Sequence, residues 1–353
     1  MEDFINELNK DMEEILNSIK HCTSKSKQYQ LMQDYYVLCE IYEEIGATNI
    51  PKLEDYSHKK IKIEDLLRHM NKKFMPILLK DLQKNEEIYS ELVNLLLKLF
   101  DNYDEPTIYE SMFKNKINIY ESVNMTIEFL KNYDLKIYSV LKELINNNRV
   151  MYIEDHTSKY YGVSYNINVT NKSYILMNTD QNINSSITLV HESGHIYDFD
   201  KNKNNSINTN TKSFLVNSCN EIFPNYLELV YKNYLKNKKI YLDDLNMSDK
   251  KDIQILFDMT SSISKILYSY DINGIFEINI LKAKLSELFG KICSFYYYDM
   301  YLEDPEMAKY YTNLLLENMG SYDNITILEK SGIEIDELLE SLEKRFQKIY
   351  KRW

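Results

Sequence analysis

Residues 185–200 read SSITLVHESGHIYDFD and contain the pattern H-E-x-x-H, from His191 to His195. If this stretch is helical, the two histidines leave the same face about one turn apart, so both imidazoles can bind one metal ion. Glu192 lies one residue round from that face, where its carboxylate can reach a water on the metal without binding the metal itself. The pattern predicts a metal-dependent hydrolytic centre with Glu192 as the general base.

The residues around the motif favour a helix. Apolar residues recur at helical spacing through the stretch, and Ser185 or Ser186 is a suitable N-cap. Gly194 is unusual there, because a glycine inside a helix costs up to about 1 kcal/mol relative to alanine. We therefore expect another backbone to approach closely at Gly194. The alternative is an accidental match, with two surface histidines on an amphipathic helix.

A third metal ligand is expected downstream, because catalytic zinc usually has three protein ligands and one open position. The segment NSCNEIFPNYLE (217–228) offers Glu221 and Glu228, which are seven residues apart and can share one helical face. We expect Glu221 to bind the metal and the other acid to orient a ligand. The competing interpretation is a capping box over residues 218–221, in which Glu221 only caps a helix.

Four segments of the chain resemble the thimet oligopeptidase and oligoendopeptidase F family of zinc peptidases. Residues 173–195 and 220–228 are similar to its active-site region, where an H-E-x-G-H helix precedes a segment E-x-x-x-x-x-x-E. The first glutamate of that segment completes the family's metal site, and Gly194 matches the family's glycine. Residues 274–280 and 304–335 resemble the helical C-terminal half of the oligoendopeptidase F branch.

The resemblance implies a mostly α-helical, gluzincin-like zinc-peptidase fold with a small β-hairpin or sheet beside the H-E-x-x-H helix. It implies one Zn²⁺ ion per chain, bound by His191, His195 and Glu221, and short peptides as substrates. Members of the family stabilise the tetrahedral oxyanion with tyrosines in a Tyr-rich segment near a histidine. The nearest match here lacks that histidine, so Tyr297 and Tyr301 are the candidates, with core packing as the alternative role.

Two departures from the family change what can be transferred. Asp198 stands where members often carry a histidine, and its carboxylate could orient a ligand histidine instead. The chain is also much shorter than typical members, so a more open cleft is expected and the family's preference for substrate length does not transfer. The alternative function is a catalytically reduced peptide-binding protein that keeps the cleft.

The rest of the sequence indicates long helices. Seven glycines and five prolines in 353 residues are too few for a turn-rich sheet fold. An antiparallel helical pair is predicted from Phe4 to about Gly46. Further helices are predicted at 61–70, 88–100, 108–112, 127–145, 231–242, 253–270, 275–289 and 335–353. We expect an N-terminal helical region, 1–150, and a zinc-binding region, 151–353, in one continuous structural unit.

The periodicity changes just before the metal motif. Val163, Tyr165 and Ile167 alternate with polar residues, and a second apolar run ends at Met177, which predicts a β-hairpin. An exposed strand edge beside the zinc helix could hold a peptide in extended form through backbone hydrogen bonds. A sheet that only packs on the helix is the alternative.

Composition restricts the class of partner. The net charge of −12 argues against nucleic acid, because an acidic surface repels phosphates. Four scattered cysteines without C-x-x-C spacing indicate thiols in a reducing cytoplasm rather than a disulfide scaffold. No apolar stretch is long enough for a signal peptide or a membrane span. We therefore expect a cytoplasmic protein without a membrane or nucleic-acid partner.

Overall fold

A computed structural model describes the fold over most of the chain. It describes residues 1–47, 50, 68, 84–85, 87–153, 161–178, 181–202, 219–268, 275–319 and 324–350. These residues are mostly helical, as the sequence predicts, and they include one small sheet of three strands. Apart from residue 68, the helix predicted at 61–70 lies outside the described residues. Among the described helices, none combines the length and the apolar character that crossing a membrane requires.

The described elements fall into helices before and after a short run of strands. The helices are α1 (Glu2–His21), α2 (Lys25–Glu44), α3 (87–100), α4 (Ile119–Tyr133), α5 (Leu135–Asn146), α6 (Ile183–Asn202), α7 (Ile222–Asn237), α8 (Leu242–Tyr268), α9 (Ile275–Glu303), α10 (Pro305–Asn318), α11 (Asn324–Lys330) and α12 (Ile335–Tyr350). The strands are β1 (Val150–Ile153), β2 (Gly162–Ile167) and β3 (Lys172–Asn178), and a 3₁₀ turn covers Glu110–Met112.

Several helix boundaries differ from the predicted ones for local reasons. The helix predicted at 127–145 is two helices, because Asp134 ends α4 and caps α5 by accepting a 2.8 Å hydrogen bond from Lys136 N. Helix α7 begins at Ile222 rather than 231, since Pro224 lies in its first turn, where proline is tolerated. Helix α9 continues through Gly290 to Glu303.

The sheet has the order β1-β3-β2 and contains the predicted hairpin, in which β2 and β3 pair antiparallel. Strand β1 was not predicted, because it is only four residues long and pairs in parallel with β3 across a large sequence separation. Side chains alternate between the two faces of β3. Tyr174 and Leu176 pack against α1 and α2, whereas Ile175 and Met177 belong to the hydrophobic cluster that contains α6. The sheet therefore lies between the helical pair and the helix of the metal motif.

Two hydrophobic clusters divide the described residues. The N-terminal core contains the buried faces of α1 and α2 together with one face of the sheet. The helical core contains α3 to α12 and the other face of the sheet. Helices α3, α4 and α5 precede residue 150, yet they pack in the helical core. The division at residue 150 stays a prediction, and the packing of these three helices does not favour it.

Two buried aspartates tie the N-terminal helices to the hairpin. Asp11 of α1 accepts a 2.6 Å hydrogen bond from the Tyr174 hydroxyl and pairs with Lys172. Asp34 of α2 accepts hydrogen bonds from Val169 N at 2.8 Å and Asn168 Nδ2 at 3.1 Å. These contacts fix both helices against the turn that joins β2 to β3.

Candidate metal centre

The helix that carries the motif begins earlier than its serines suggest. Helix α6 starts at Ile183, and Asn182 Oδ1 accepts a 2.8 Å hydrogen bond from Asn184 N at its N-terminus. The prediction of an N-cap at Ser185 or Ser186 is therefore wrong. Ser186 lies inside the first turn, where its hydroxyl donates to Ile183 O at 2.9 Å. An asparagine side chain takes the capping position because it accepts from the helix as a serine would.

Gly194 allows α7 to cross α6 at close range. A Cβ added at Gly194 would lie 2.9 Å from Pro224 Cα and 3.3 Å from Leu227 Cδ1. The expectation that a second backbone approaches at this glycine is confirmed. The crossing brings the start of α7, and with it Glu221, beside the two histidines.

Three donor atoms converge between α6 and α7. His191 Nε2 lies 3.1 Å from His195 Nε2 and 3.2 Å from Glu221 Oε2, and His195 Nε2 lies 3.4 Å from the same oxygen. Ligands about 2.0–2.1 Å from one tetrahedral zinc ion are about 3.3–3.4 Å apart, so the triangle fits one such ion. Within the described residues, these three form the one cluster of this kind, with ligand atoms within 4.8 Å of one another. The four cysteines form no disulfide in the described part of the chain.

Glu221 immediately precedes α7, and its side chain makes no capping hydrogen bond. The capping-box interpretation places Glu221 at the third helical position, whereas the helix begins after it; residue 218, the other end of that box, lies outside the described residues. Its backbone carbonyl accepts from Asn225 N at 3.1 Å and from Asn225 Nδ2 at 2.7 Å. A methyl group at Gly290 of α9 would overlap Glu221 Cβ and would lie 3.1 Å from its carbonyl carbon. A glycine in α9 thus leaves the space that Glu221 occupies.

Glu228 lies two turns along α7 and contacts the other side of His191. Its Oε1 is 2.7 Å from His191 Nδ1. An ionised carboxylate can only accept, so Nδ1 carries the hydrogen and Nε2 of a neutral imidazole keeps its lone pair for a metal. Asp198, the other candidate for orienting a histidine, accepts a 2.6 Å hydrogen bond from Asn202 Nδ2. Glu228 is therefore the acid that orients His191 in this structure.

The acids and imidazoles stabilise each other's charged forms. Burial lowers the pKa of His191, but the hydrogen bonds to Glu221 and Glu228 outweigh it and hold that pKa well above its usual value. Burial raises the pKa of Glu221, yet the charges of His195 and His191 hold it well below its ordinary range. The site thus favours bound positive charge, and a metal ion there would displace protons.

A chain of buried ion pairs runs from Glu228 into the helical core. Glu228 Oε2 lies 3.3 Å from Lys291 Nζ of α9, and Lys291 Nζ lies 3.0 Å from Asp252 Oδ1 of α8. The other oxygen of Asp252 lies 2.7 Å from Lys232 Nζ of α7. Sequence reasoning identified Glu228 but missed Lys291, Asp252 and Lys232. The available signal was a lysine within the apolar run LFGKICSF, since a lysine in such a run is buried only when it has an acidic partner.

The Glu192 side chain lies beside the first residue of β2. Its side chain is buried, and its charge contributes to raising the pKa of His195, for which burial is the largest and opposing cause. A Cβ added at Gly162, the first residue of β2, would lie 3.2 Å from Glu192 Cγ. The absence of a side chain at Gly162 therefore lets the edge strand approach the candidate general base.

The two tyrosine candidates pack in the helical core. The Tyr297 ring is fully buried, and its hydroxyl donates to Ser331 O at 3.0 Å. The Tyr301 ring stacks on Tyr298 and meets Tyr226 edge-on, with ring centroids 6.4 Å apart in both cases. These contacts favour a packing role, and the oxyanion role of either tyrosine stays a prediction.

Known proteins include structures of similar fold but no match to the sequence. No family model matches the chain, and no curated protein matches it. A chain assigned as oligoendopeptidase F from Bacillus anthracis strain Ames is similar with a TM-score of 0.54 at 11% identity, over 96% of this chain and 73% of that one. A second chain assigned as oligoendopeptidase F has a TM-score of 0.53 at 11% identity, over 92% and 65%.

A Pz peptidase A determined with an inhibitor is similar over 96% of this chain and 70% of its own length, with a TM-score of 0.50 at 13% identity. Identities this low describe shape rather than chemistry. The similarity nevertheless extends over 92–96% of this chain, and it covers 65–73% of each solved structure. The chain therefore has the fold of oligoendopeptidases over the part of those structures that it matches.

Proposed function

We propose that the protein is a zinc-dependent endopeptidase that hydrolyses short peptides, with His191, His195 and Glu221 as the zinc ligands. The observation that carries this proposal is the convergence of two imidazole nitrogens and one carboxylate oxygen within 3.4 Å of one another. Two histidines and one acid are a ligand set of catalytic zinc sites, which leave one position open for water. The oligoendopeptidase fold supports the same reaction class.

Glu192 is the proposed general base. A zinc ion bound by the three ligands would act as a Lewis acid and lower the pKa of a water towards about 7. The Glu192 carboxylate then accepts a proton from the attacking water and delivers it to the leaving amine. Its side chain is buried on α6, beside Gly162 of β2.

Glu228 and the edge of the sheet supply orientation. The 2.7 Å contact with Nδ1 holds the His191 ring, with Nε2 directed to the other donor atoms. Strand β2 is one of the two outer strands of the described sheet, and its first residue lies beside Glu192. A peptide could add to this edge in extended form, which recognises backbone rather than particular side chains. A tyrosine hydroxyl is still expected at the oxyanion, with Tyr301 and Tyr297 as the candidates.

A library of quenched fluorescent peptides, assayed with and without a chelator, tests the proposal. We expect cleavage by the purified protein, loss of cleavage after chelation, and recovery on addition of stoichiometric Zn²⁺. Metal analysis of the protein should give one zinc ion per chain. Peptide binding without turnover in the zinc-loaded protein would instead identify the peptide-binding alternative, which the retained Glu192 does not favour. The cytoplasmic location stays a prediction of the sequence.

A further inference from the structure

Lys291 is a buried cation beside the metal centre but outside the ligand set. Its side chain is 12% exposed, and it lies in α9 between an acid of α7 and an acid of α8. A buried ammonium is tolerated only when acids pair with it, so its position is determined by Glu228 and Asp252. The question is which of these two acids requires it.

Asp252 has a second cation. Lys232 Nζ lies 2.7 Å from Asp252 Oδ2, closer than the 3.0 Å between Lys291 Nζ and Asp252 Oδ1. Neutralising Asp252 therefore does not by itself account for Lys291. Among the described ion pairs, Glu228 contacts a lysine only through Lys291.

The two oxygens of Glu228 are held from opposite sides. Oε1 meets His191 Nδ1 at 2.7 Å, and Oε2 meets Lys291 Nζ at 3.3 Å. A carboxylate with one hydrogen bond can rotate about its last torsion, whereas a carboxylate held at both oxygens has its plane fixed. The orientation of Glu228 in turn sets the orientation of the His191 ring.

Gly290 permits this arrangement. Because a methyl group at Gly290 would overlap Glu221 Cβ, α9 can contact the start of α7 only with a glycine there. The next residue, Lys291, then reaches Glu228 further along α7. A helix that supplies none of the three proposed zinc ligands thus packs against Glu221 and pairs with the carboxylate of Glu228 beside the metal centre.

We propose that Lys291 is a positioning residue of the metal centre, which holds Glu228 in the orientation that directs His191 Nε2 to the metal. The proposal rests on the proposed zinc function. Outer partners of metal ligands typically change metal affinity about 10- to 100-fold when they are mutated. We therefore expect Lys291→Met to weaken zinc binding by about tenfold or more.

If Lys291 acted only through its charge, Lys291→Met would bind zinc more tightly rather than more weakly. Removing a positive charge close to a divalent cation reduces repulsion and strengthens zinc binding. The direction of the change therefore distinguishes a positioning role from a purely electrostatic one. A role in stability alone would leave the zinc affinity unchanged.

The test is the zinc dissociation constant, measured by competition with a chromophoric chelator, for the wild type, Lys291→Met and a matched control. The control is Lys236→Met, which also removes a lysine from a buried aspartate, Asp249, at 2.5 Å. Asp249 keeps Arg345 at 3.4 Å, just as Asp252 keeps Lys232 in the first variant. Thermal unfolding in excess chelator measures the loss of stability in both variants. We expect weaker zinc binding only in Lys291→Met.

An unchanged or higher zinc affinity in Lys291→Met overturns the proposal while leaving the zinc peptidase intact. If that variant does not fold, Glu228→Gln and Glu228→Gln/Lys291→Met replace it, because removing both charges leaves no unpaired acid. The two should then bind zinc equally, since Lys291 acts through Glu228. A further loss in the double variant overturns the proposal. A wild type that binds no zinc overturns the proposed function and, with it, this inference.

Discussion

Buried acids in the two hydrophobic cores of the molecule include two contrasting cases, Asp34 in the N-terminal core and the pair Asp249 and Asp252 in the helical core. In the N-terminal core, Asp34 is fully buried and accepts hydrogen bonds from amide groups of residues 168 and 169. In the helical core, Asp252 pairs with two lysines, and Asp249 pairs with Lys236 and Arg345. Neutral donors thus hold Asp34, as they hold Asp244 of the helical core, whereas cations hold Asp249 and Asp252, as Lys172 pairs with Asp11.

This difference predicts which substitutions change stability alone and which also change the metal centre. The contacts of Asp34 end at the turn of the hairpin, so a change there should alter how firmly α2 is attached. The Lys232–Asp252 pair continues through Lys291 and Glu228 to His191, so a change along this chain of ion pairs should reach the metal centre. If this comparison is right, substitutions in the two cores should be distinguishable by zinc affinity and turnover.

The largest effect is expected at the general base. Glu192→Gln removes the proton acceptor but leaves His191, His195 and Glu221 in place, so kcat should fall about 10²- to 10⁴-fold. Metal analysis should still find one zinc ion per chain, because Glu192 is not a ligand. Asp34→Asn is the matched acid-to-amide control, with kcat unchanged. Peptidase activity retained in Glu192→Gln would remove that residue from the role of base.

The next effect is expected where α9 meets α7. In Gly290→Ala the new methyl overlaps Glu221 Cβ, so the helices must separate or Glu221 must move. Overpacking of this kind typically costs about 1–3 kcal/mol of unfolding free energy. We also expect zinc affinity to fall at least about tenfold, as for other changes beside metal ligands. Chemical denaturation with excess chelator measures the loss of stability, and competition with a chelator measures the zinc affinity. A loss of stability without a loss of zinc affinity would contradict a close link between α9 and Glu221.

The sequence predicted the part of the site that depends on local spacing. His191, Glu192 and His195 follow from one helical repeat, and Gly194 followed from the cost of glycine in a helix. Glu221 was reached by its distance from the motif and by the family resemblance. These positions could be proposed because each depends on a short segment and its helical periodicity.

Features that depend on packing between distant segments were not predictable in this way. Lys291 is 63 residues from Glu228 in the chain, and no spacing rule connects them. Strand β1 is too short to carry a periodic signal and has its partner in β3. The N-cap of α6 was assigned wrongly because serine and asparagine are both good caps, so composition could not choose between them. Tertiary contacts decide each of these cases.

A smaller effect, confined to stability, is expected for Asp34→Asn. The amide offers one acceptor oxygen where the carboxylate offers two, so its NH₂ group would face Val169 N or Asn168 Nδ2. A buried donor left without a partner costs about 1–3 kcal/mol. Unfolding free energy should fall by that amount at pH 7, with the zinc dissociation constant unchanged. A loss of zinc affinity would show that the two cores are coupled.

The smallest effect is a difference in pH dependence between matched variants of the two cores. Burial raises the pKa of Asp34, and the hydrogen bonds from residues 168 and 169 offset only part of that rise. For Asp249 burial also acts to raise the pKa, but Arg345 and Lys236 outweigh it and lower the pKa. The pKa of aspartate in an unfolded chain is about 3.9. Folding raises the pKa of Asp34 above that value and lowers the pKa of Asp249 below it.

The sign follows from which state binds more protons. Between about pH 3.9 and the raised pKa of Asp34, the folded state binds more, so the wild type gains stability over Asp34→Asn as the pH falls. Between the lowered pKa of Asp249 and about pH 3.9, the unfolded state binds more, so the wild type loses its advantage over Asp249→Asn as the pH falls. Each slope is at most about 1.4 kcal/mol per pH unit. Denaturant unfolding of the wild type and both variants from pH 6 to pH 3, at about half-unit steps, should give opposite slopes. Slopes of the same sign would mean that neutral donors and cations do not affect the titration of Asp34 and Asp249 in opposite directions.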